Sequence, residues 1–259
     1  MPNATSIIEV THNGKQSALT TCKSVAPLKL LNPRAQGNYC AVVLSSYGGG
    51  MVEGDEVTLQ VRCQKDASLY LGTQAFTKVY KNPTGIPSKQ TIIGTVETDG
   101  LTVALPDPVV PYAQSIFDQN QEWHLAPNAC LVLADGHTSG RLAYGEHFDY
   151  TSYTSNITIH TPNRPLLIER YHSAPSELSP THVGAFGPFN AVFNVFIAGT
   201  PGESKFTHLI DSLTQALKPL LQPSEQPPLQ LSFASPKAEL LIIRALARNV
   251  ESLRPLYAA

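Results

Sequence analysis

The sequence predicts a mainly β protein with a sandwich or barrel-like architecture. Short segments rich in Val, Leu, Thr and Tyr recur through the first two-thirds of the chain, and turn residues separate them about every 8–12 positions. The 21 prolines suit strand edges and loops better than helices. Because the sequence shows no repeat and no clean linker, we expect one domain spanning residues 1–259.

The strand candidates follow one another from the N-terminus. Residues 6–12 end at Asn13-Gly14, and residues 91–97 lead into Asp99-Gly100; both dipeptides are typical of hairpin turns. Residues 240–247 fit a strand or a helix, and we favour the strand. The remaining candidates are residues 18–24, 41–46, 57–63, 68–73, 101–105, 123–125, 130–134, 148–158 and 166–171.

Two segments near the C-terminus predict helices. Residues 203–221 place apolar side chains at helical spacing, with Glu203 near the start and Lys218 near the end, as the helix dipole favours. Pro219 limits the length of this helix. A second helix is predicted from Asn249, a suitable N-cap, to about Tyr257. The proline-rich residues 219–228 are predicted to form a loop.

Composition excludes several classes of protein. The net charge of −2 and the lack of a Lys/Arg run argue against a nucleic-acid partner. The N-terminus lacks the pattern of a signal peptide, and no apolar stretch approaches the length of a membrane span, so we expect a cytoplasmic protein. In that compartment, four widely separated cysteines are expected to be reduced and buried: Cys22, Cys40, Cys63 and Cys130.

Four short segments concentrate glycine, proline and polar residues. Residues 47–55 (YGGGMVEGD) predict a sharp turn, and a phosphate-binding loop is excluded because no Gly-Lys-Ser/Thr follows. Residues 72–80 (GTQAFTKVY) fit an exposed strand end, and residues 105–119 (LPDPVVPYAQSIFDQ) fit a stiff extended connection. Residues 135–148 (DGHTSGRLAYGEHF) are predicted to form a loop or hairpin.

Together these segments, in this order and spacing, resemble the UreD/UreH family of urease accessory proteins. The family pattern runs GGxxxGD, TTQAxTKVY, LPDPxxPFxxSxxxQ and SGRxxxGExF, and a later arginine-containing strand is matched by LLIIRALA at residues 240–247. The resemblance extends from about Leu28 to Leu256. Departures from the pattern are Gly72 for Thr, Tyr112 for Phe, and His137 where an apolar residue is expected.

The resemblance implies both a fold and a function. It implies a two-layer, helically stacked, β-sandwich-like domain with two α-helices. It implies a non-enzymatic chaperone that binds UreF, and through UreF the GTPase UreG, on apo-urease. A passage through the protein is the proposed route of nickel to the urease active site. No cofactor is expected to be bound tightly, since nickel is in transit.

A nickel route needs weak and spaced ligands, because a closed cage of three or four would trap the ion. Matched-motif carboxylates are therefore the candidate path residues: Asp55, Asp107, Asp135 and Glu146. The expected orienting neighbours are Thr73, Gln74, Lys78 and Arg141. Glu169 is a weaker candidate. The alternative for each carboxylate is an exposed turn or a cap, and Arg141 can instead pair with Glu146 or Asp135.

Other interpretations remain open at this point. Strand alternation places Asp135 and His137 on one face, which gives two metal ligands and not a closed site. A β-sandwich hydrolase could use Asp135 and Glu146 as acid and base, although a single Trp is few for a sugar-binding cleft. A β domain that binds protein without metal is the third possibility.

Partner contacts are expected at residues 219–228, at the helix around residues 209–217 and at the C-terminal helix.

Overall fold

The computed structural model describes residues 5–182, 184–221 and 227–258. Two sheets form most of this part of the chain, and two α-helices follow late in the sequence. The helices are α1 (Ser204–Leu217) and α2 (Arg254–Ala258). The strands, in chain order, are β1 (Ser6–His12), β2 (Ser17–Lys23), β3 (Leu28–Leu31), β4 (Cys40–Ser46), β5 (Glu56–Cys63), β6 (Ser68–Thr73), β7 (Lys78–Val79), β8 (Ser88–Val96), β9 (Leu101–Ala104), β10 (Val110–Pro111), β11 (Ile116–Leu125), β12 (Cys130–Thr138), β13 (Ser152–His160), β14 (Pro165–Ser173), β15 (Ala191–Ala198), β16 (Leu229–Lys237) and β17 (Leu240–Ala247).

The chain winds helically between the two sheets. The seven-stranded sheet has the order β14-β13-β11-β8-β5-β1-β2, and the eight-stranded sheet has the order β16-β17-β15-β12-β9-β6-β4-β3. From β4 to β12 the longer strands alternate between the sheets, and strands that become neighbours within a sheet run parallel. Each turn of the winding therefore adds one strand to each layer. The predicted mainly β, two-layer, helically stacked architecture is confirmed.

The eight-stranded sheet is buried on both faces along β12. Leu131 and Leu133 face the core between the sheets, whereas Val132 and Ala134 face a second core beneath α1 and the C-terminal segment. This arrangement explains why every residue of β12 is buried. A strand covered on both faces loses the apolar–polar alternation of a half-exposed strand.

Both predicted helices are confirmed. The Glu203 side chain caps α1 by accepting hydrogen bonds from the backbone N–H groups of Lys205 and Phe206, and the α-helix ends at Leu217, before Pro219. Asn249 caps a 3₁₀ turn, Val250–Leu253, that leads directly into α2. Part of the predicted loop 219–228 lies outside the described residues. Within the described ranges, no helix is long and apolar enough to cross a membrane.

Several sequence-based predictions were wrong in detail. Asp99-Gly100 does not close a hairpin, because β8 and β9 belong to different sheets and the turn moves the chain between layers. Residues 135–138 continue β12 and are not part of a loop. Cys22 is exposed, while the other three cysteines are buried, and all four are free thiols. Strands that were not predicted are β3, β7, β10, β15 and β16.

Candidate functional site

A cavity of about 180 Å³ lies between the two sheets. The seven-stranded sheet contributes Gln90, Gln119, Gln121 and Trp123, and the eight-stranded sheet contributes residues of β4, β6, β9 and β12. Its lining mixes apolar side chains with amides, hydroxyls and carboxylates. A purely apolar core would not need these polar groups, so the cavity is the strongest candidate for a functional site.

All four motif segments reach this cavity. The parallel strands β4, β6, β9 and β12 are neighbours, so their C-terminal ends meet at one edge of the sheet. The glycine-rich turn follows β4, the 72–80 segment begins within β6, the proline-rich segment follows β9, and the fourth segment begins in β12. Each segment supplies lining residues, such as Met51, Gln74, Asp107 and Asp135. The winding therefore converts a series of distant motifs into one site.

Asp135 lines the cavity with only 9% of its surface exposed. The Gln119 Nε2 donates to Asp135 Oδ1 at 2.6 Å, and the Ser155 hydroxyl donates to Asp135 Oδ2 at 3.0 Å. No cationic side chain in the described ranges forms a salt bridge with this carboxylate. Burial raises the pKa of the Asp135 carboxyl above its ordinary value, and the negative charge of Glu169 contributes in the same direction.

A second carboxylate, Asp107, also lines the cavity together with Thr73. The Thr73 hydroxyl donates to Asp107 Oδ2 at 2.9 Å, and the Asp107 backbone N–H donates to Thr73 Oγ1 at 2.8 Å. Gln74 and Lys78 also line the cavity. Thus the structure brings together five of the residues selected from sequence, namely Thr73, Gln74, Lys78, Asp107 and Asp135.

Asp55, Arg141 and Glu146 do not line this cavity. Asp55 Oδ2 accepts a hydrogen bond from the Val52 backbone N–H at 2.8 Å, so the carboxylate closes the turn before β5. Arg141 donates to both carboxylate oxygens of Glu146 and lies over the Tyr112 ring at 3.9 Å. The hydrogen bond from Arg141 holds the pKa of Glu146 below its ordinary value. These contacts hold the shapes of loops. Arg141 pairs with Glu146, which is the alternative that the sequence analysis gave for it.

Sequence reasoning missed the partners that hold Asp135. Gln119 is the last residue of the proline-rich motif, so a signal for it was present. Ser155 gave no signal by itself, because its importance comes from register: it lies opposite Gln119 on the neighbouring strand β13. Contacts between layers, such as Gln119 to Asp135, cannot be predicted from the periodicity of either strand alone.

His137 lies two residues beyond Asp135 on the same inward face, as strand alternation predicted. Its ring is 1% exposed, stacks on Tyr153 with 4.2 Å between the ring centroids, and lies near the hydroxyls of Tyr150 and Tyr171. Burial lowers the pKa of His137 to about 3, so the imidazole is neutral at physiological pH. The described part of the chain contains no group of three or more His, Cys, Asp or Glu residues that could hold a metal ion.

Comparisons with known proteins agree over the length of the chain. The family described as UreD urease accessory protein matches residues 3–259. The chain is 32% identical over 255 residues to the urease accessory protein UreD of Cytophaga hutchinsonii, covering 96% of this chain and 89% of that protein. It is 40% identical over 162 residues to UreD of Sorangium cellulosum, covering 62% of this chain and 51% of that protein. Urease accessory protein D of Oryza sativa subsp. indica is 31% identical over 229 residues, covering 87% of this chain and 73% of that protein.

Proposed function

This chain belongs to the UreD family of urease accessory proteins, and from that premise we propose that it is a non-enzymatic chaperone of urease maturation. It scaffolds a complex with UreF and, through UreF, with UreG on apo-urease. It provides a passage through which nickel reaches the urease active site. The observation that best supports the passage is the cavity between the sheets, which has both Asp135 and Asp107 in its lining.

The chemistry of the cavity suits a cation in transit. Nickel(II) accepts carboxylate and imidazole ligands, and a route must bind the ion weakly enough to release it. Each carboxylate has its own hydrogen-bond partners: Asp135 accepts from Gln119 and Ser155, and Asp107 accepts from Thr73. Separate carboxylates attract a cation and pass it on, as acidic rings do in cation channels. Asp55 and Glu146 do not line the cavity, and a role for them in the nickel path stays a prediction.

The partners UreF, UreG and apo-urease are inferred from family membership. The surfaces expected to meet them are the exposed side of α1, the C-terminal segment and the described ends of the 219–228 loop. Leu221, at the end of the 3₁₀ turn that follows α1, lies in this region and is 42% exposed. The residues that meet each partner remain a prediction.

The geometry disfavours the hydrolase alternative. That mechanism needs Asp135 and Glu146 to flank one substrate-binding cleft. Instead, Asp135 lies between the sheets, and Glu146 pairs with Arg141 in a loop that does not line the cavity. The other alternative is a β domain that binds protein without metal. It predicts that substitution of the cavity carboxylates leaves nickel loading of urease unchanged.

The test is urease activation in cells that contain apo-urease and the other matched accessory proteins. We expect Asp135→Asn to reduce activation at least tenfold, because the amide has nearly the same shape but no charge to attract nickel. Asp118→Asn is the matched control: it makes the same chemical change one residue before Gln119 on β11, on the opposite face of the strand. The control should activate urease like the wild type.

Two results would contradict the proposal. If Asp135→Asn copurifies with UreF and activates urease fully, the cavity carboxylate is structural and the nickel path is wrong. If the wild-type chain fails to activate urease with matched partners, the maturation role itself fails. Copurification with UreF separates loss of assembly from loss of nickel transfer.

A further inference from the structure

A row of polar side chains runs from Asp135 in the cavity wall across the neighbouring strands of the eight-stranded sheet. Asp135 on β12 is paired in register with Asn194 on β15, and Asn194 is paired with Arg244 on β17. Arg244 Nη1 donates to the Asn194 side-chain oxygen at 3.3 Å. Phe193 and Val195, the chain neighbours of Asn194, belong to the core beneath the helices, so Asn194 faces the opposite, inter-sheet side.

The row ends at an ion pair that bridges the two sheets. Arg244 donates from Nη1 to Glu169 Oε1 at 2.9 Å and from Nη2 to Glu169 Oε2 at 2.8 Å, and Glu169 belongs to β14 of the seven-stranded sheet. The Arg244 side chain is 46% exposed and that of Glu169 is 21% exposed, so the row reaches solvent here. The negative charge of Glu169 contributes to raising the pKa of the Asp135 carboxyl.

The pair is bidentate and joins the two sheets, which are also held together by the extensive apolar core between them. What the pair does control is charge at the end of the polar row. With Arg244 in place, Glu169 is neutralised; without it, Glu169 and Asp135 would be two unneutralised carboxylates on one route.

We propose that Arg244 is a charge gate at the outer end of the nickel passage, an inference that rests on the proposed function and extends it. When no cation is present, the Arg244 guanidinium pairs with the Glu169 carboxylate. A divalent cation that passes Asp135 displaces the guanidinium and contacts the Glu169 carboxylate, and the return of Arg244 releases the cation. The gate thus keeps Glu169 available for transfer but prevents it from retaining nickel.

Direct nickel binding tests the gate without urease. Isothermal titration of the full chain with nickel chloride is expected to show weak binding for the wild type. We expect Arg244→Gln to bind nickel at least tenfold more tightly, since the amide cannot neutralise Glu169. Adding Glu169→Gln to that variant should return binding to the wild-type level. Arg244→Lys, which preserves the positive charge, should stay close to the wild type.

Two outcomes overturn the gate. In one, Arg244→Gln binds nickel like the wild type; in the other, it binds more tightly but Glu169→Gln does not reverse the change. Should Arg244→Gln fail to fold, Glu169→Gln alone decides: the gate requires it to lower urease activation severalfold, and unchanged activation refutes the gate. Because titration involves no urease, failure of the gate in a wild-type chain that activates urease leaves the proposed function intact. Conversely, a wild-type chain that fails to activate urease refutes the proposed function itself.

Discussion

Asp135 and His137 occupy the same inward face of β12 but have different surroundings. Asp135 receives hydrogen bonds from an amide and a hydroxyl, which stabilise a charged or polar group inside the protein. His137 is enclosed by the rings of Tyr150, Tyr153, Tyr171 and Phe186. One position is therefore suited to interact with a cation, whereas the other stabilises an aromatic cluster.

Acid stability should report the burial of His137. Its pKa is about 3 in the fold and 6.5 when unperturbed, so the unfolded chain binds the proton more readily as pH falls. Stability from this residue is present above pH 6.5 and is lost as pH falls towards 3, by up to about 5 kcal/mol. His137→Phe cannot be protonated at this position, so its free energy of unfolding should fall less steeply with decreasing pH. Urea unfolding from pH 7 to 4 measures this dependence. Equal slopes for the two proteins would show that His137 titrates normally.

Single-residue predictions were most successful where chain geometry alone decides the outcome. Alternation placed Asp135 and His137 on one face, and spacing allowed the pairing of Arg141 with Glu146. The contacts of Asp135 with Gln119 and Ser155 needed the positions of three strands in two sheets. The structure therefore extends the sequence-derived candidates with partners that only the tertiary fold brings together.

At the scale of elements, β11 shows why strand prediction was incomplete. The prediction covered only residues 123–125, yet the strand runs from Ile116 to Leu125. Gln119 and Gln121 occupy inward positions where an ordinary strand has apolar residues, and they line the cavity. The same polar residues that form the site interrupted the hydrophobic alternation used to predict the strand.

Packing between neighbouring strands makes Gly94 a sensitive position. Gly94 on β8 is paired in register with Trp123, and an added Cβ would lie 2.1 Å from the Trp123 ring. Gly94→Ala should displace this fully buried ring and destabilise the protein by roughly 1–3 kcal/mol. Thermal unfolding is the measurement, with Ile93→Thr on the outward face as the control. An unchanged melting temperature for Gly94→Ala would refute this account of the packing.

At the scale of the whole molecule, helical winding links fold to site. Four parallel strands of the eight-stranded sheet end at one edge, and the motif segments meet there although they span residues 47–148 of the chain. Periodicity in the sequence predicted many strands but could not assign their partners, because parallel neighbours are separated by a strand of the other sheet. The resemblance to the family supplied the winding, and the structure then explained why the motifs are collinear in sequence.

Filling the cavity should separate the stability of the fold from its function. Ala104, on β9, is 2% exposed and lines the cavity, so Ala104→Leu would place additional apolar atoms in the proposed passage. Since burial of each added methylene contributes about 0.8 kcal/mol when space is available, we expect the melting temperature to stay equal or rise. Urease activation should fall severalfold, because the route between the sheets is narrowed.

The neighbouring residue provides a matched control for the cavity variant. Val103 faces the opposite side of β9, towards the core beneath the helices, so Val103→Ile enlarges a side chain without entering the cavity. Ala104→Val gives an intermediate size and should reduce activation less than Ala104→Leu does. If Ala104→Leu is as stable as the wild type and activates urease equally well, nickel does not travel through this cavity. If Ala104→Val lowers urease activation, Ala104→Leu lowers it further and Val103→Ile leaves it unchanged, the space between the sheets is the route.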